Sequence, residues 1–123
     1  MTDHRARHPR GAFCRVAIIT ATYNAAQHIE LCLKSVELQT HPNVFHVIVD
    51  GKSDDQTVNI VTSSKSERLF FISEPDNGIY SAWNKGIKLI DADWYLFLGA
   101  DGILLPNAIQ ALLEQAQASF ALT

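Results

Sequence analysis

Short apolar runs alternate along the chain with stretches whose apolar residues recur at helical spacing. Arg15–Thr20 (RVAIIT), Val44–Val49 (VFHVIV), Leu69–Ile72 (LFFI) and Trp94–Leu98 (WYLFL) are nearly continuous β-rich runs, the pattern of parallel strands buried on both faces. Each is followed by a turn and then a helical pattern. Ile29, Cys32, Leu33 and Val36 fall at i, i+3, i+4 and i+7 and predict a first helix. A second opens near Asp55 with the short stripe Val58 and Val61. The third has the longest stripe, with Ile79, Ala82, Trp83, Gly86, Ile87 and Ile90 expected inward over three turns. The fourth starts near Pro106, a residue suited to a first helical turn, and directs Ile109, Leu112, Leu113, Ala116 and Phe120 inward.

Four β–α alternations predict an α/β fold: a mostly parallel four-stranded sheet with right-handed crossovers and helices on both faces. In such sheets ligands bind beyond the carboxyl ends of the strands, near the reversal of strand order. The chemistry is therefore expected at residues 21–24, 50–57, 73–78 and 99–102.

Composition narrows the class. A chain of 123 residues, 47% hydrophobic and 19% charged, has apolar content for one domain and not two. Residues 1–12 (MTDHRARHPRGA) are polar and without period, and read as a disordered basic tail in which His4 and His8 have no metal role. Arg5, Arg7 and Arg10 against Asp3 leave residues 1–10 at +2 and the remainder at −5. That balance argues against a nucleic-acid partner. Cys14 and Cys32 are too few for a disulfide framework or a four-ligand zinc site, and read as buried thiols in a reducing compartment. No apolar run approaches the ~18 residues of a membrane span, and no signal-peptide core follows the basic tail. A cytoplasmic location is expected.

The loops supply the candidate chemistry. Ala21-Thr22-Tyr23-Asn24 lacks a glycine-rich turn, which disfavours a dinucleotide-binding site and a P-loop. Tyr23 can stack on a flat base or serve as a packed aromatic. Asp50, ending a buried strand, is costly unless a cation, a donor or a ligand accepts it. Asp54 and Asp55 suit a helix N-terminus. Asp76-Asn77-Gly78 is a turn feeding the third helix, on which Lys85 either faces solvent or reaches toward an anionic ligand. Asp101, between Gly99 and Gly102, is a hard oxygen donor that can hold Mg²⁺ or Mn²⁺ on a diphosphate. The literal D-x-D at Asp91-Ala92-Asp93 precedes its strand, belongs to the opposite edge of the sheet, and is a decoy.

VAIITATYN at 16–24, HVIVDGKSDDQTV at 46–58, EPDNGIYSAWNKGI at 74–87 and DWYLFLGADGILLPNAI at 93–109 together resemble the family 2 glycosyltransferases. The match spans roughly residues 14–113. The resemblance implies a Rossmann-like GT-A fold, an activated sugar donor (a UDP- or other NDP-sugar) and a divalent cation. It implies that Ala21 and Tyr23 line the base pocket and that Asp50 lies beside the base or ribose. Asp76 and the Asn84-Lys85 pair would approach the sugar and diphosphate, and Asp101 would bind the metal. The sequence departs from the family where Gly51 follows Asp50 and where Gly99 and Gly102 stand in place of further acids. In the family an acceptor-binding half with the catalytic base follows. Residues 13–123 are thus expected to be a donor-binding half, alone, as a homo-oligomer or with a separate acceptor-binding partner. Two alternatives stay open. One is a receiver-type signalling domain with Asp50 as its acid, although TATYN stands where that class needs an acidic pair. The other is a degenerate, non-catalytic binding fragment.

Overall fold

The computed structural model describes residues 14–75 and 78–122, so the basic tail at 1–12 and Asp76 lie outside the described residues. The elements run β1 (Val16–Thr22), α1 (Ile29–Glu37), β2 (Val44–Asp50), α2 (Thr57–Thr62), β3 (Leu69–Ser73), α3 (Ile79–Leu89), β4 (Trp94–Phe97) and α4 (Ala108–Leu122). The strands form one sheet in the order β3-β2-β1-β4, every pair parallel. The chain steps from β1 to β2 to β3 in one direction. It then crosses back to set β4 on the far side of β1.

That reversal decides which helix covers which face. Side chains alternate along a strand, so Ile18 and Thr20 of β1 share a face with His46, Ile48 and Asp50 of β2. Val36 of α1 and Ile109 and Leu113 of α4 pack there with Val16, Ile18 and Val44. Ile29 and Cys32 of α1 meet Ile48 and Val61 of α2 on the same side. The returning crossover runs the other way, and right-handedness puts its helix on the opposite face. There Ala82 of α3 packs on Ile19, Val47 and Val49, with Trp83, Ile90 and Tyr95 around them.

α3 lies close to the sheet because Gly86 carries no side chain. A Cβ at that position would stand 2.6 Å from Ile19 Cγ2. On this face Ala82 and Gly86 are buried, with Trp83 and Ile90 partly so. Ile79 and Ile87, expected inward, are instead 52% and 38% exposed. Leu112 of α4 departs in the same way at 51% exposure, because the helix meets the sheet through Ile109 and Leu113. β3 and β4 are also less buried than their sequences imply, for they are the sheet's edges; Phe70 and Phe97 are exposed. Phe120 lies outside the residues whose side chains are described.

Polar bonds fix the remaining joints. Gln39, just past α1, donates Nε2 to the Leu105 carbonyl at 2.7 Å and accepts the Ile109 N–H on Oε1 at 3.0 Å. One side chain thereby satisfies an otherwise orphaned donor in the first turn of α4. Asp93 Oδ2 accepts the Arg15 N–H at 2.7 Å, and the Asp91 carbonyl accepts from Arg15 Nη1 at 3.1 Å. The D-x-D at 91–93 thus ties β1 to β4 at the amino edge of the sheet, away from the strand tips. Cys14 and Cys32 are unpaired and buried.

Candidate functional site

Parallel register places Thr22, Asp50 and Ser73 opposite one another as the last residues of β1, β2 and β3. Because they share a row they share a face, and the two hydroxyls turn toward the carboxylate between them. Oδ1 of Asp50 accepts from Thr22 Oγ1 at 2.6 Å and from Ser53 Oγ at 2.5 Å. Oδ2 accepts the Ser53 N–H and Ser73 Oγ, both at 2.8 Å. Asp50 is fully buried. Burial alone pushes its pKa up; the donations from Ser53, Thr22 and Ser73 outweigh that and hold it below the ordinary carboxylate value. What accepts the buried charge is a set of internal donors. Both oxygens are engaged and buried, an arrangement that argues against the receiver-type reading, in which this acid takes up a phosphoryl group.

The loops after β1 and β2 are bonded to each other as tightly as strands. The Gly51 N–H donates to the Thr22 carbonyl at 2.9 Å, and the Asn24 N–H donates to Ser53 Oγ at 2.8 Å. The Asp54 N–H returns to Asn24 Oδ1 at 2.9 Å. Thr57 Oγ1 accepts the Ala25 N–H at 2.8 Å and donates to Asp55 Oδ1 at 2.5 Å. Asp55 also takes the Thr57 N–H on Oδ1 at 2.9 Å, and the Ala26 N–H on Oδ2, so its role at the start of α2 is to cap and to tether. Asn24 and Lys52 adopt left-handed backbone, with φ of 50° and 63°. Such conformations cost a non-glycine residue about 1 kcal/mol and persist only where the surroundings over-determine them. Here the cross-bonds do so.

These pinned loops wall an open cleft at the carboxyl edge, lined by Ala21, Thr22, Tyr23, Gly51, Gly78, Ile79 and Ala82, with a volume of about 360 Å³. The volume lies in the range of small-ligand sites. Tyr23 is 64% exposed and presents an aromatic surface at the cleft. Gly78, at φ +112°, turns the chain into α3, and its carbonyl accepts the Ala82 N–H of the first turn. Ile79, at the first position of α3, is half exposed and lines the cleft.

Ala21 and Tyr23 are therefore together in this cleft, with Asp50 immediately behind its Gly51 wall. Lys85 faces the segment after β3: Nζ lies 3.0 Å from Glu74 Oε1 and donates to the Pro75 carbonyl at 3.0 Å. Asn84 is exposed on α3, and neither it nor Lys85 lines the cleft. Asp101 stands at the tip of the turn closed by the Gly102 N–H to the Gly99 carbonyl at 2.8 Å. It is exposed, does not line the cleft, and accepts no hydrogen bond among the described residues. Gly102 has a packing reason: a Cβ there would meet Leu98 Cδ1 at 2.5 Å and the Gly99 carbonyl oxygen at 3.0 Å. Among the described residues no group of three or more His, Cys, Asp or Glu is arranged to hold a metal ion. Any ion at Asp101 would have to draw on ligand oxygens. The Cys32 thiol, pushed up to about 11 by burial, lies beneath the same turn and donates to the Gly99 carbonyl at 3.7 Å.

Comparison with known proteins adds the following. A family model described as "Glycosyl transferase family 2" matches residues 17–122. A PGL/p-HBAD biosynthesis glycosyltransferase of Mycobacterium bovis is 41% identical over 91 residues, covering 72% of this chain and 36% of that protein. An uncharacterized glycosyltransferase of a Nostoc species is 28% identical over 108 residues, covering 85% and 34%. Among solved structures, S. aureus TarS 1-349 in complex with UDP-GlcNAc superposes with a TM-score of 0.71 at 27% identity, covering 85% of this chain and 30% of that one. The mannosyltransferase PcManGT from Pyrobaculum calidifontis, in complex with GDP-Man and Mn²⁺, shares the fold at a TM-score of 0.71 and 24% identity, covering 85% and 33%. This chain spans about a third of the length of the curated relatives it matches. Among the described residues no helix is long and apolar enough to cross a membrane.

Proposed function

The chain belongs to glycosyl transferase family 2, and from that premise we propose that residues 13–123 are a donor-binding domain that takes a nucleoside diphosphate sugar at the carboxyl edge of the sheet. The observation that carries this reading is the cleft over Ala21, Tyr23, Gly51 and Gly78, walled by loops bonded to one another before any ligand arrives. Tyr23 stacks on the nucleobase, worth about 1–3 kcal/mol for a base on an aromatic ring. Ala21, small and at the strand tip, leaves the base room to lie flat. Asp50 sits beneath the base or ribose and acts by holding Thr22 and Ser53. In this reading Asp76 and the Asn84–Lys85 pair, the latter on α3 outside the cleft itself, approach the sugar and diphosphate. The UDP-GlcNAc complex of TarS, at 27% identity, supports a nucleotide sugar as the ligand class.

Asp101 holds Mg²⁺ or Mn²⁺ in this proposal. The donor fits, because an exposed carboxylate with no hydrogen bond among the described residues is a hard oxygen ligand ready for such an ion. One protein carboxylate suffices where phosphate oxygens and water complete the shell. Bound there, the ion supplies charge neutralisation on the departing diphosphate. Transfer to an acceptor needs an acceptor-binding part, from further length of the kind the curated relatives possess, from a partner or from a surface of a second copy. The two buried, unpaired thiols favour a reducing, cytoplasmic setting.

Calorimetric titration of the 123-residue protein with UDP-GlcNAc and with GDP-mannose, with and without Mn²⁺, tests the proposal. Binding of at least one donor, weakened about tenfold or more by Tyr23→Ala, is expected. Asp101→Ala should abolish the Mn²⁺ enhancement and leave metal-free binding intact. Absence of heat with both donors would overturn the reading. Mn²⁺ enhancement surviving Asp101→Ala would remove the metal role.

A further inference from the structure

We propose that Ser53 is a positioning residue for the base platform: its hydroxyl takes the Asn24 N–H and thereby orients Tyr23 toward the cleft. The inference rests on the nucleotide-binding reading above. Ser53 does not line the cleft, so its influence on a ligand runs through its neighbours.

The geometry is specific. A serine hydroxyl has one proton to donate and two lone pairs to accept with. Asp50 is ionised and can only accept, so the Ser53 proton is committed to Asp50 Oδ1 at 2.5 Å. The lone pairs are left facing the Asn24 N–H, 2.8 Å away. The same Oδ1 takes Thr22 Oγ1 at 2.6 Å. Tyr23 is thus bracketed by two residues tied to one carboxylate oxygen, Thr22 directly and Asn24 through Ser53. Its ring is 64% exposed and is held less by packing than by the backbone on either side. That backbone needs holding, because Asn24 stands in the left-handed region at φ 50°. Without Ser53 the Asn24 N–H loses its partner, and Asn24 itself keeps the bond from the Asp54 N–H to its Oδ1, while its neighbour Ala25 stays tied to Thr57.

The test uses Ser53→Ala, Tyr23→Ala, the double variant and Ser53→Thr in the full chain, with UDP and GDP as probes. Ser53→Ala should weaken nucleotide binding about tenfold, the scale of one ordered hydrogen bond. Tyr23→Ala should weaken it at least as much. The double variant should bind no worse than Tyr23→Ala alone, because Ser53 has nothing to orient once the ring is gone. Ser53→Thr, which keeps the hydroxyl, should restore most of the affinity. A purely structural role gives additive losses and overturns the proposal, as does Ser53→Ala binding like wild type. Amide hydrogen exchange in the free protein gives a second readout. Asn24 should exchange about tenfold faster in Ser53→Ala while Ile18 and Ile19 in β1 stay unchanged. Unchanged exchange at Asn24 also overturns it. If neither nucleotide binds wild type, the nucleotide reading falls, and exchange at Asn24 alone decides whether Ser53 orders this loop.

Discussion

Replacing Asp50 is the most informative single perturbation of this fold, since this one carboxylate at the end of β2 gathers donors from the ends of two neighbouring strands and a loop. Asp50→Ala removes four accepted bonds and leaves the hydroxyls of Thr22, Ser53 and Ser73 and the Ser53 N–H to find other partners. The hydroxyls can rotate, but the N–H cannot. Hydrogen bonds to a charged group contribute about 1.5–3 kcal/mol each, and an unpaired buried donor costs about 1–3 kcal/mol. Partial rescue by rotation and by water entering the gap brings the expected loss to about 3–4 kcal/mol. Asp50→Asn should cost less, about 1–2 kcal/mol. Its amide can face the two rotatable hydroxyls at the Oδ1 position while its oxygen keeps the Ser53 N–H. The pH dependence follows from the same bonds. The folded pKa lies below the unfolded one, so this stabilisation is present above the ordinary carboxylate pKa and is lost as pH falls through the folded value. Urea denaturation at pH 7 and pH 3 measures both. The alanine variant should be clearly less stable at pH 7, and its gap to wild type should narrow at pH 3. An alanine variant within about 0.5 kcal/mol of wild type at pH 7 would refute the claim that internal donors hold this charge.

Three further outcomes are expected. His46 is buried against Thr20 Oγ1 at 2.8 Å, and burial lowers its pKa to about 3. It is neutral when folded and charged when unfolded below its ordinary value, so its contribution is complete at neutral pH. From about pH 6.5 downward, wild type should lose up to about 1.4 kcal/mol per pH unit on this account; His46→Gln should flatten the urea-midpoint profile by one proton, and parallel profiles would contradict the assignment. Gly86→Ala forces a Cβ to 2.6 Å from Ile19 Cγ2; overpacking of about 1–3 kcal/mol against a helix-propensity gain of about 1 kcal/mol predicts a lower melting temperature, and an unchanged one would show that α3 can shift. Cys32, buried and with its thiol pushed up to about 11, should resist iodoacetamide in the native protein at pH 8 and react once unfolded, followed by intact mass.

The sheet was legible because each β-rich run is short, apolar and followed by helical spacing, and the strand starts at Val44, Leu69 and Trp94 fall where those runs begin. The carboxyl-edge position of the cleft followed from topology. What sequence spacing hides is anything set by contact between elements. Ile79 and Ile87 fit the α3 stripe by periodicity, yet α3 meets the sheet through Ala82 and Gly86 and leaves both exposed. Asp50 stood out as a buried acid, yet the donors that accept it come from 22, 53 and 73. Asp50 and Ser73 each follow an apolar run by one residue, but Thr22 lies two past Thr20, so the row they share shows only in the parallel register. Ser53 gave no signal alone, because its role depends on Asn24 from another loop. The place of Asp101 after the fourth apolar run is legible in the sequence, and the structure adds that its carboxylate is exposed at a turn closed by the Gly102 N–H to the Gly99 carbonyl.

The central claim is that a nucleotide sugar sits against Tyr23 at the carboxyl edge of the sheet. Amide chemical-shift mapping of the labelled protein during titration with UDP-GlcNAc or GDP-mannose, with Mg²⁺ as the diamagnetic ion, examines it directly. Saturable shifts should concentrate at Ala21–Asn24, Gly51–Ser53 and Gly78–Ile79, with a smaller group at 99–102. Shifts clustered instead in the cavity of about 180 Å³ between Val36, His41, His46 and Arg68, at the far end of the sheet, would contradict it.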